Sequence, residues 1–189
     1  MMKKILGIIF IITITFLGTH AIANQNVPLE NSVLRLHVLA NSDASYDQAL
    51  KMAVKDQVVK YMQEEFSHIN NFDEAALTAQ ERLPDIERVA TEVVKEHGYD
   101  YPVQEALGKF EFPTKSYGNL IFPQGEYEAV RIIIGEGEGQ NWWCVLFPPL
   151  CMVSSSDKGI SMESPREAKV TWKCLELLPK GVKFGKHEE

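Results

Sequence analysis

The chain has 189 residues, 45% of them hydrophobic, which is enough to bury one core and form one domain. Its formal net charge of -7 argues against general nucleic-acid binding, because phosphate binding requires a basic face. Three cysteines, Cys144, Cys151 and Cys174, are too few for a disulfide scaffold and allow at most one intramolecular pair.

The N-terminal segment has the three parts of a secretory signal peptide. Lys3 and Lys4 precede the apolar run Ile5–Leu17, and Ala21-Ile22-Ala23 is a small-x-small cleavage site. We therefore predict a signal peptide over residues 1–23 and a mature protein that begins at Asn24. The apolar run is short for a membrane span, which needs about 20 residues, but an uncleaved anchor remains the alternative. Removal of both lysines takes the net charge from -7 to -9, so we expect an exported, soluble, acidic protein.

The first elements of the predicted domain are a strand and a helix. "VLRLHVLA", Val33–Ala40, is typical of a strand and carries Arg35 and His37 on one face. Ser45 and Gln48 fit a capping box at the start of the helix. Four polar residues, Lys51, Lys55, Gln63 and Glu64, lie off its apolar stripe. The stripe consists of Leu50, Val54, Val58, Tyr61, Met62 and Phe66.

Two further helical segments follow, separated by a proline. Asn71, with Glu74 three residues later, predicts a helix start, and Pro84 must break or restart that helix. Gly98 predicts its end at the C′ position. The apolar stripe of this second part consists of Ile86, Val89, Ala90, Val93 and Val94.

The pattern becomes extended from Tyr99 onward. A turn at Pro123–Gly125 precedes "EYEAVRIIIG", the strongest strand, and "WWCVLF" is a further strand. We predict that these two strands form a hairpin with "GEGEGQN" as a long loop. The fold class is therefore α+β, with a mainly antiparallel sheet and two or three helices packed on one face. We assign this domain to residues 24–153.

The C-terminal segment, residues 154–189, begins as a polar linker. "SPRE" is typical of a helix start, whereas "AKVTWKCLELL" alternates like a strand over its first half, so both assignments stay open. We expect this segment to pack on the same domain.

The sequence offers one candidate pair for catalysis and no convincing metal or phosphate site. Cys144 and His37 are the candidates for a nucleophile and its base, but Cys144 lies in an apolar strand, where a thiol usually packs as a small hydrophobe with a raised pKa. The histidines and cysteines lack zinc-ligand spacing, and neither Glu136 with Glu138 nor Asp43 with Asp47 has EF-hand periodicity. "GEGEG" lacks the spacing of a phosphate loop, and its carboxylates would repel phosphate. We therefore predict no catalytic residue, no metal and no cofactor.

A recognition surface is the alternative use of the glycine-rich loop and its aromatic flank. Trp142 and Trp143 alternate across a strand, so one should enter the core and the other should face outward, where tryptophan suits protein recognition. Packing of both tryptophans within the sheet is an equally good interpretation. The candidate recognition surface consists of Glu136, Glu138, Gln140, Asn141, Trp142 and Trp143.

Cys144 and Cys151 could form a disulfide, because export permits oxidation. Their separation of seven residues requires the chain to turn back within "VLFPPL", whereas Pro148 and Pro149 resist a tight reversal. A disulfide with Cys174 as the free thiol, and free thiols throughout, both remain open.

Three long stretches resemble the stage II sporulation protein R family, and together they span about residues 30–153. The segment from Ser154 onward resembles it only loosely. The three stretches are "RLHVLANSDASYDQALKMAVKD", "LPDIERVATEVVKEHGYDYPV" and "FPTKSYGNLIFPQGEYEAVRIIIGEGEGQNWWCVLFPPLC".

The resemblance implies a role that the residues alone do not show. Proteins of this family are secreted into the space between forespore and mother cell during endospore formation. There they activate a membrane-embedded aspartic protease, stage II sporulation protein GA, which processes the sigma-E precursor. The resemblance thus implies a signalling protein that is no enzyme, binds no nucleic acid and has no small-molecule substrate. An exported cell-wall hydrolase that uses Cys144 as nucleophile is the alternative function.

Overall fold

The structure, a computed structural model, describes residues 28–117, 120–151, 177, 178 and 182. The predicted signal peptide, Cys174 and most of the C-terminal segment lie outside these residues. Within them, no helix is long and apolar enough to cross a membrane. A short 3-10 turn, Leu29–Asn31, comes first, and the helices and strands then follow in this order: β1 Leu34–Leu39, α1 Ser45–Glu65, α2 Phe72–Glu81, α3 Leu83–Glu96, β2 Val103–Phe112, β3 Lys115–Tyr117, β4 Leu120–Phe122, β5 Gly125–Ile134 and β6 Asn141–Phe147.

The main sheet has four strands in the order β2-β5-β1-β6. β1 pairs parallel to β5 and antiparallel to β6, while β2 pairs antiparallel to β5. The predicted hairpin of β5 and β6 is therefore wrong, because β1 lies between the two strands. His37 of β1 accordingly has Arg131 of β5 opposite it on one side and Trp143 of β6 on the other. A separate two-stranded sheet joins β3 and β4.

The helix boundaries follow local signals in all but one case. Asn71 caps α2 by accepting a hydrogen bond from the Glu74 backbone N–H at 2.9 Å, as predicted. Pro84 occupies the first turn of α3, and Gly98 follows its end with a φ of 81°. The predicted capping box of α1 is wrong, because the N-cap is Ala44, which offers no side-chain bond.

One face of the sheet packs against the helices. Leu36 and Val38 of β1 are fully buried, because their side chains alternate with those of Arg35 and His37 and so point to the helical layer. The α1 stripe is buried except for half-exposed Tyr61, and Val89 is the half-exposed member of the α3 stripe. Lys51 and Lys55, which lie off the stripe, are nevertheless buried as well. The α+β prediction, with three helices and a mostly antiparallel sheet, is confirmed.

The opposite face of the sheet surrounds a buried arginine. The Arg35 guanidinium lies 4.0 Å from the centre of the Phe112 ring and 4.7 Å from that of Tyr127. It donates one hydrogen bond, at 3.0 Å, to the hydroxyl of Tyr117 on β3. The aromatic rings stabilise the cation by cation–π attraction, which strengthens when the groups are desolvated. The β3–β4 hairpin is thereby anchored to this face.

Three residues of the C-terminal segment contact the domain. Leu177, Leu178 and Val182 are partly buried against the core. The boundaries of the domain, residues 24–153, and the conformation of the rest of the segment stay predictions.

Candidate functional site

The predicted recognition residues lie where the chain crosses from β5 to β6 over the end of β1. Glu136, Glu138, Gln140 and Asn141 are exposed, whereas Trp142 and Trp143 are half-buried. The segment is a crossover connection and not the tip of a hairpin. The role of this segment as a recognition surface stays a prediction. Its position at one end of the sheet follows from the strand order.

This connection, residues 135–140, is held against residues 40–44, which join β1 to α1. We call these two segments the paired loops. Backbone N–H groups of the first segment donate to acceptors in or next to the second. The bonds are Glu136 N to Asn41 Oδ1 (3.0 Å), Glu138 N to Asn41 O (3.2 Å), Gly139 N to Ala40 O (3.0 Å) and Gln140 N to Asp43 Oδ1 (2.8 Å).

The glycines of the connection are required by this close approach. Gly135 and Gly137 have backbone φ values of 61° and 68°, which residues other than glycine rarely adopt. A Cβ at Gly139 would lie 2.2 Å from the backbone oxygen of Ser42. The glycines therefore let the loops touch and leave Glu136 and Glu138 pointing to solvent.

Buried polar side chains of α1 form hydrogen bonds with the paired loops. The Asp47 carboxylate accepts hydrogen bonds from Ser42 Oγ at 2.6 Å and from Asn41 Nδ2 at 2.9 Å. Burial raises the pKa of Asp47, but these hydrogen bonds outweigh burial and hold the pKa below its ordinary value. Lys51 Nζ donates to Gln140 O at 2.8 Å. The loops are thus tied to α1 as well as to each other.

The two tryptophans contact opposite faces of the sheet. Trp142 faces α1, where Lys55 Nζ lies 4.9 Å from the centre of its ring. Trp143 stacks on His37, with ring centres 3.7 Å apart and an interplanar angle of 15°. Both side chains are half-buried and pack against the core, which matches the interpretation that both tryptophans pack within the sheet and not that of one core and one outward-facing tryptophan.

His37 is a neutral strand residue. Its Nε2 lies 2.7 Å from Asn141 Oδ1, and Nδ1 is buried without a hydrogen-bond partner. Burial lowers its pKa to about 4, and the positive charges of Arg131 and Arg35 act in the same direction. At neutral pH the ring is therefore uncharged and contributes to packing beside Trp143.

The structure does not bring Cys144 and His37 together. In the register of β1 and β6, Cys144 lies opposite Leu36, whereas His37 lies opposite Trp143, so the two side chains point to opposite faces. Cys144 is bonded to Cys151, with a Cα–Cα distance of 5.3 Å. The chain turns back at Pro148, where Leu150 N donates to Val145 O at 3.2 Å. The described residues include no group of three or more acidic, histidine or cysteine side chains arranged to hold a metal ion.

A tyrosine ladder, Tyr46, Tyr99 and Tyr101, adjoins the paired loops and was not predicted. Tyr99 stacks on Tyr101 at 5.2 Å and on Tyr46 at 6.3 Å, and Tyr46 is 55% exposed. Gly135 N donates to Pro102 O at 2.8 Å, which joins the ladder segment to the loops. The alternation of Tyr99 and Tyr101 was a visible signal, but Tyr46 is distant in sequence.

A groove of about 420 Å³ lies elsewhere, between α1 and α3. Charged side chains such as Lys60, Glu64 and Glu92 line much of it. None of the predicted site residues contributes to this groove.

The fold and the paired loops define an α+β domain that presents exposed side chains on hydrogen-bonded loops at one end of its sheet. Residues 30–157 match the profile of the stage II sporulation protein R family. The chain is 39% identical over 169 residues to stage II sporulation protein R of Bacillus subtilis (strain 168). The aligned region covers 88% of this chain and 75% of that protein. The chain therefore belongs to the stage II sporulation protein R family. No solved structure matches it.

Proposed function

We propose that this sporulation protein is an exported signal that activates a membrane-embedded aspartic protease, stage II sporulation protein GA, in the space between forespore and mother cell. The protease then processes the sigma-E precursor. The family membership over residues 30–157 carries this proposal. It agrees with the signal-peptide pattern of residues 1–23.

The proposed role is that of a ligand without catalysis of its own. The geometry supports this role because Cys144 is buried in a disulfide and points away from His37. A thiolate is the nucleophile in cysteine catalysis, so a bonded Cys144 has no free sulfur with which to act as the hydrolase alternative requires. The paired loops are the proposed contact with the protease, because they hold Glu136 and Glu138 exposed on a braced backbone.

Precursor cleavage in a non-sporulating host tests the proposal. The full chain, the protease and the precursor are co-expressed, and the fraction of cleaved precursor is measured. We expect cleavage only when the chain and an active protease are both present. Cleavage with a catalytically dead protease would show that this chain carries the activity.

Two cysteine variants separate the ligand from the hydrolase alternative. Cys144→Ser and Cys151→Ser both remove the disulfide, but only the first removes the nucleophile that the alternative requires. We expect the two variants to give the same amount of cleaved precursor. Loss of activity in Cys144→Ser alone would favour the enzyme.

Charge reversal tests the proposed contact. We expect the double variant Glu136→Lys, Glu138→Lys to lower cleavage about tenfold, as the loss of one or two interface charge contacts would. Glu126→Lys, at the opposite end of β5, is the matched control and should leave cleavage unchanged. Equal loss in both would refute the contact.

Export has its own measurement. N-terminal sequencing of the released protein should begin at Asn24. A membrane-bound protein that retains Met1 would contradict cleavage after Ala23.

A further inference from the structure

The edge strand β2 has one side without a partner. It pairs with β5 along its whole length, from Val103 opposite Ile134 to Phe112 opposite Gly125, without a register shift. Its other side has no strand neighbour in the described part of the chain. Free backbone N–H and C=O groups on such an edge are a template for another strand.

Two of the usual obstacles to edge pairing, proline and a β-bulge, are missing from β2. No proline lies within Val103–Phe112, and the regular register with β5 leaves no bulge to twist the edge away. Charged side chains remain as the one protection, chiefly Glu105 and Lys109. These charges are placed so that they fit a second copy of the same strand.

Glu105 and Lys109 lie at equal distances on either side of Leu107. If two β2 strands pair antiparallel with Leu107 opposite Leu107, each Glu105 lies directly opposite the other copy's Lys109. Opposed residues share a face of the sheet, and opposite charges so placed attract each other. On the other face the same register places Ala106 opposite Gly108 of the other copy, and both residues are small enough for the strands to pair without a clash.

Other extensive registers lack this match. A register centred on Gly108 places Glu105 opposite Glu111, and like charges directly opposed are destabilising. Registers shifted by one residue place Glu105 opposite Gly108 or Phe110. Only the register centred on Leu107 opposes opposite charges while pairing most of the strand.

Within the described part of the chain, neither charge has an ion-pair partner. Burial raises the pKa of the Glu105 carboxyl, and the charge of nearby Glu87 adds to the rise. Among the ion pairs of the described residues, none includes Glu105 or Lys109. A lysine from a second copy would supply Glu105 with a cation that the described residues do not.

We propose that two copies of this protein form a two-fold dimer by antiparallel pairing of their β2 strands, centred on Leu107, with reciprocal Glu105–Lys109 pairs. The two four-stranded sheets then form one continuous sheet. The proposed pairing uses the backbone edge of β2, residues 103–112, and no residue of the paired loops. The dimer is independent of the proposed protease partner.

Cysteine cross-linking tests the register. Directly opposed residues have Cα atoms about 4.5–5.5 Å apart, within the range of a disulfide. The full chain is expressed with Leu107→Cys, and the form that the host releases is purified. This protein should form a covalent dimer under mild oxidation. Gln104→Cys is the matched control, because its two copies would lie about 20 Å apart. The unsubstituted chain measures the background from its own cysteines. Cross-linking of Gln104→Cys to the same extent, or of neither variant, would overturn the proposal.

A charge swap tests the interface without new cysteines. Glu105→Lys alone and Lys109→Glu alone each oppose like charges twice, and each should weaken dimerisation at least about tenfold in sedimentation equilibrium. An equimolar mixture of the two variants restores opposite charges and should form a heterodimer. Thermal unfolding by circular dichroism confirms that each variant is folded. If the unsubstituted chain is monomeric up to its solubility limit, or the mixture does not dimerise, the proposal is wrong.

Discussion

Gly139→Ala probes the contact between the paired loops. The added Cβ would lie 2.2 Å from Ser42 O, 2.5 Å from Ser42 C and 2.9 Å from the Cβ of Ala40. Two of these three atoms are backbone, so no side-chain rotation relieves the overlap. The loops must therefore move apart by about 1 Å to restore ordinary contact distances.

The cost follows from the hydrogen bonds that hold the loops. Such a movement breaks the bonds from Glu138, Gly139 and Gln140 to the 40–43 segment. At about 1 kcal/mol for each bond, the free energy of unfolding should fall by about 3 kcal/mol. In a chain of this length, this corresponds to a decrease in Tm of about 6–12 °C.

Thermal unfolding followed by circular dichroism measures this decrease. Gly125→Ala is the control, because its Cβ would meet the Tyr127 ring at 3.7 Å, an ordinary contact. The control should stay within about 1 kcal/mol of the unsubstituted chain. If Gly139→Ala unfolds at the same temperature as Gly125→Ala, the loops are not held together as described.

Three further predictions concern the core, a buried histidine and the disulfide. Val54→Asp places an unpaired charge at a fully buried position and should cost more than about 4 kcal/mol; unchanged thermal stability would show that the α1 face is misassigned. Because the pKa of His37 falls from 6.5 to about 4 on folding, the unfolded chain binds the proton first, so stability should drop by up to about 3 kcal/mol between pH 6.5 and 4. His37→Gln should flatten that part of the pH profile, and an unaltered slope would refute the assignment. Mass spectrometry of the alkylated, non-reduced protein should find one labelled cysteine for each chain, whereas three would eliminate the Cys144–Cys151 bond.

Elements specified by neighbouring residues were predictable from the sequence. The cap at Asn71, the proline at Pro84 and the glycine at Gly98 act within one helical turn, so their residue types identify α2 and α3 directly. The cap of α1 was mispredicted because Ser42, two residues before Ala44, offers a competing acceptor. Its Oγ accepts from Ala44 N at 3.1 Å, and Gln48 donates to Ser42 O instead of completing a box.

Contacts between distant segments were not predictable in the same way. Two strands with a glycine-rich connection look alike whether they form a hairpin or flank a third strand, and only the pairing of β1 with both distinguishes the two cases. Lys51 and Lys55 were expected off the buried stripe, yet they are buried because Gln140 O and the Trp142 ring accept their ammonium groups. The choice of candidate recognition residues stays a prediction, and the contact of their loop with residues 40–44 depends on that same strand order.

The position of β1 also governs when the domain can fold. Among the described strands β1 comes first, and both of its partners, β5 and β6, follow only after residue 124. Such long-range pairing closes slowly, because distant segments must meet before any contact compensates for the lost chain entropy. A chain emerging N-terminus first therefore holds β1 without a strand partner until β5 is available, and without its second partner until β6 follows. If export proceeds as proposed, the four-stranded sheet cannot be completed until β6 has also crossed the membrane.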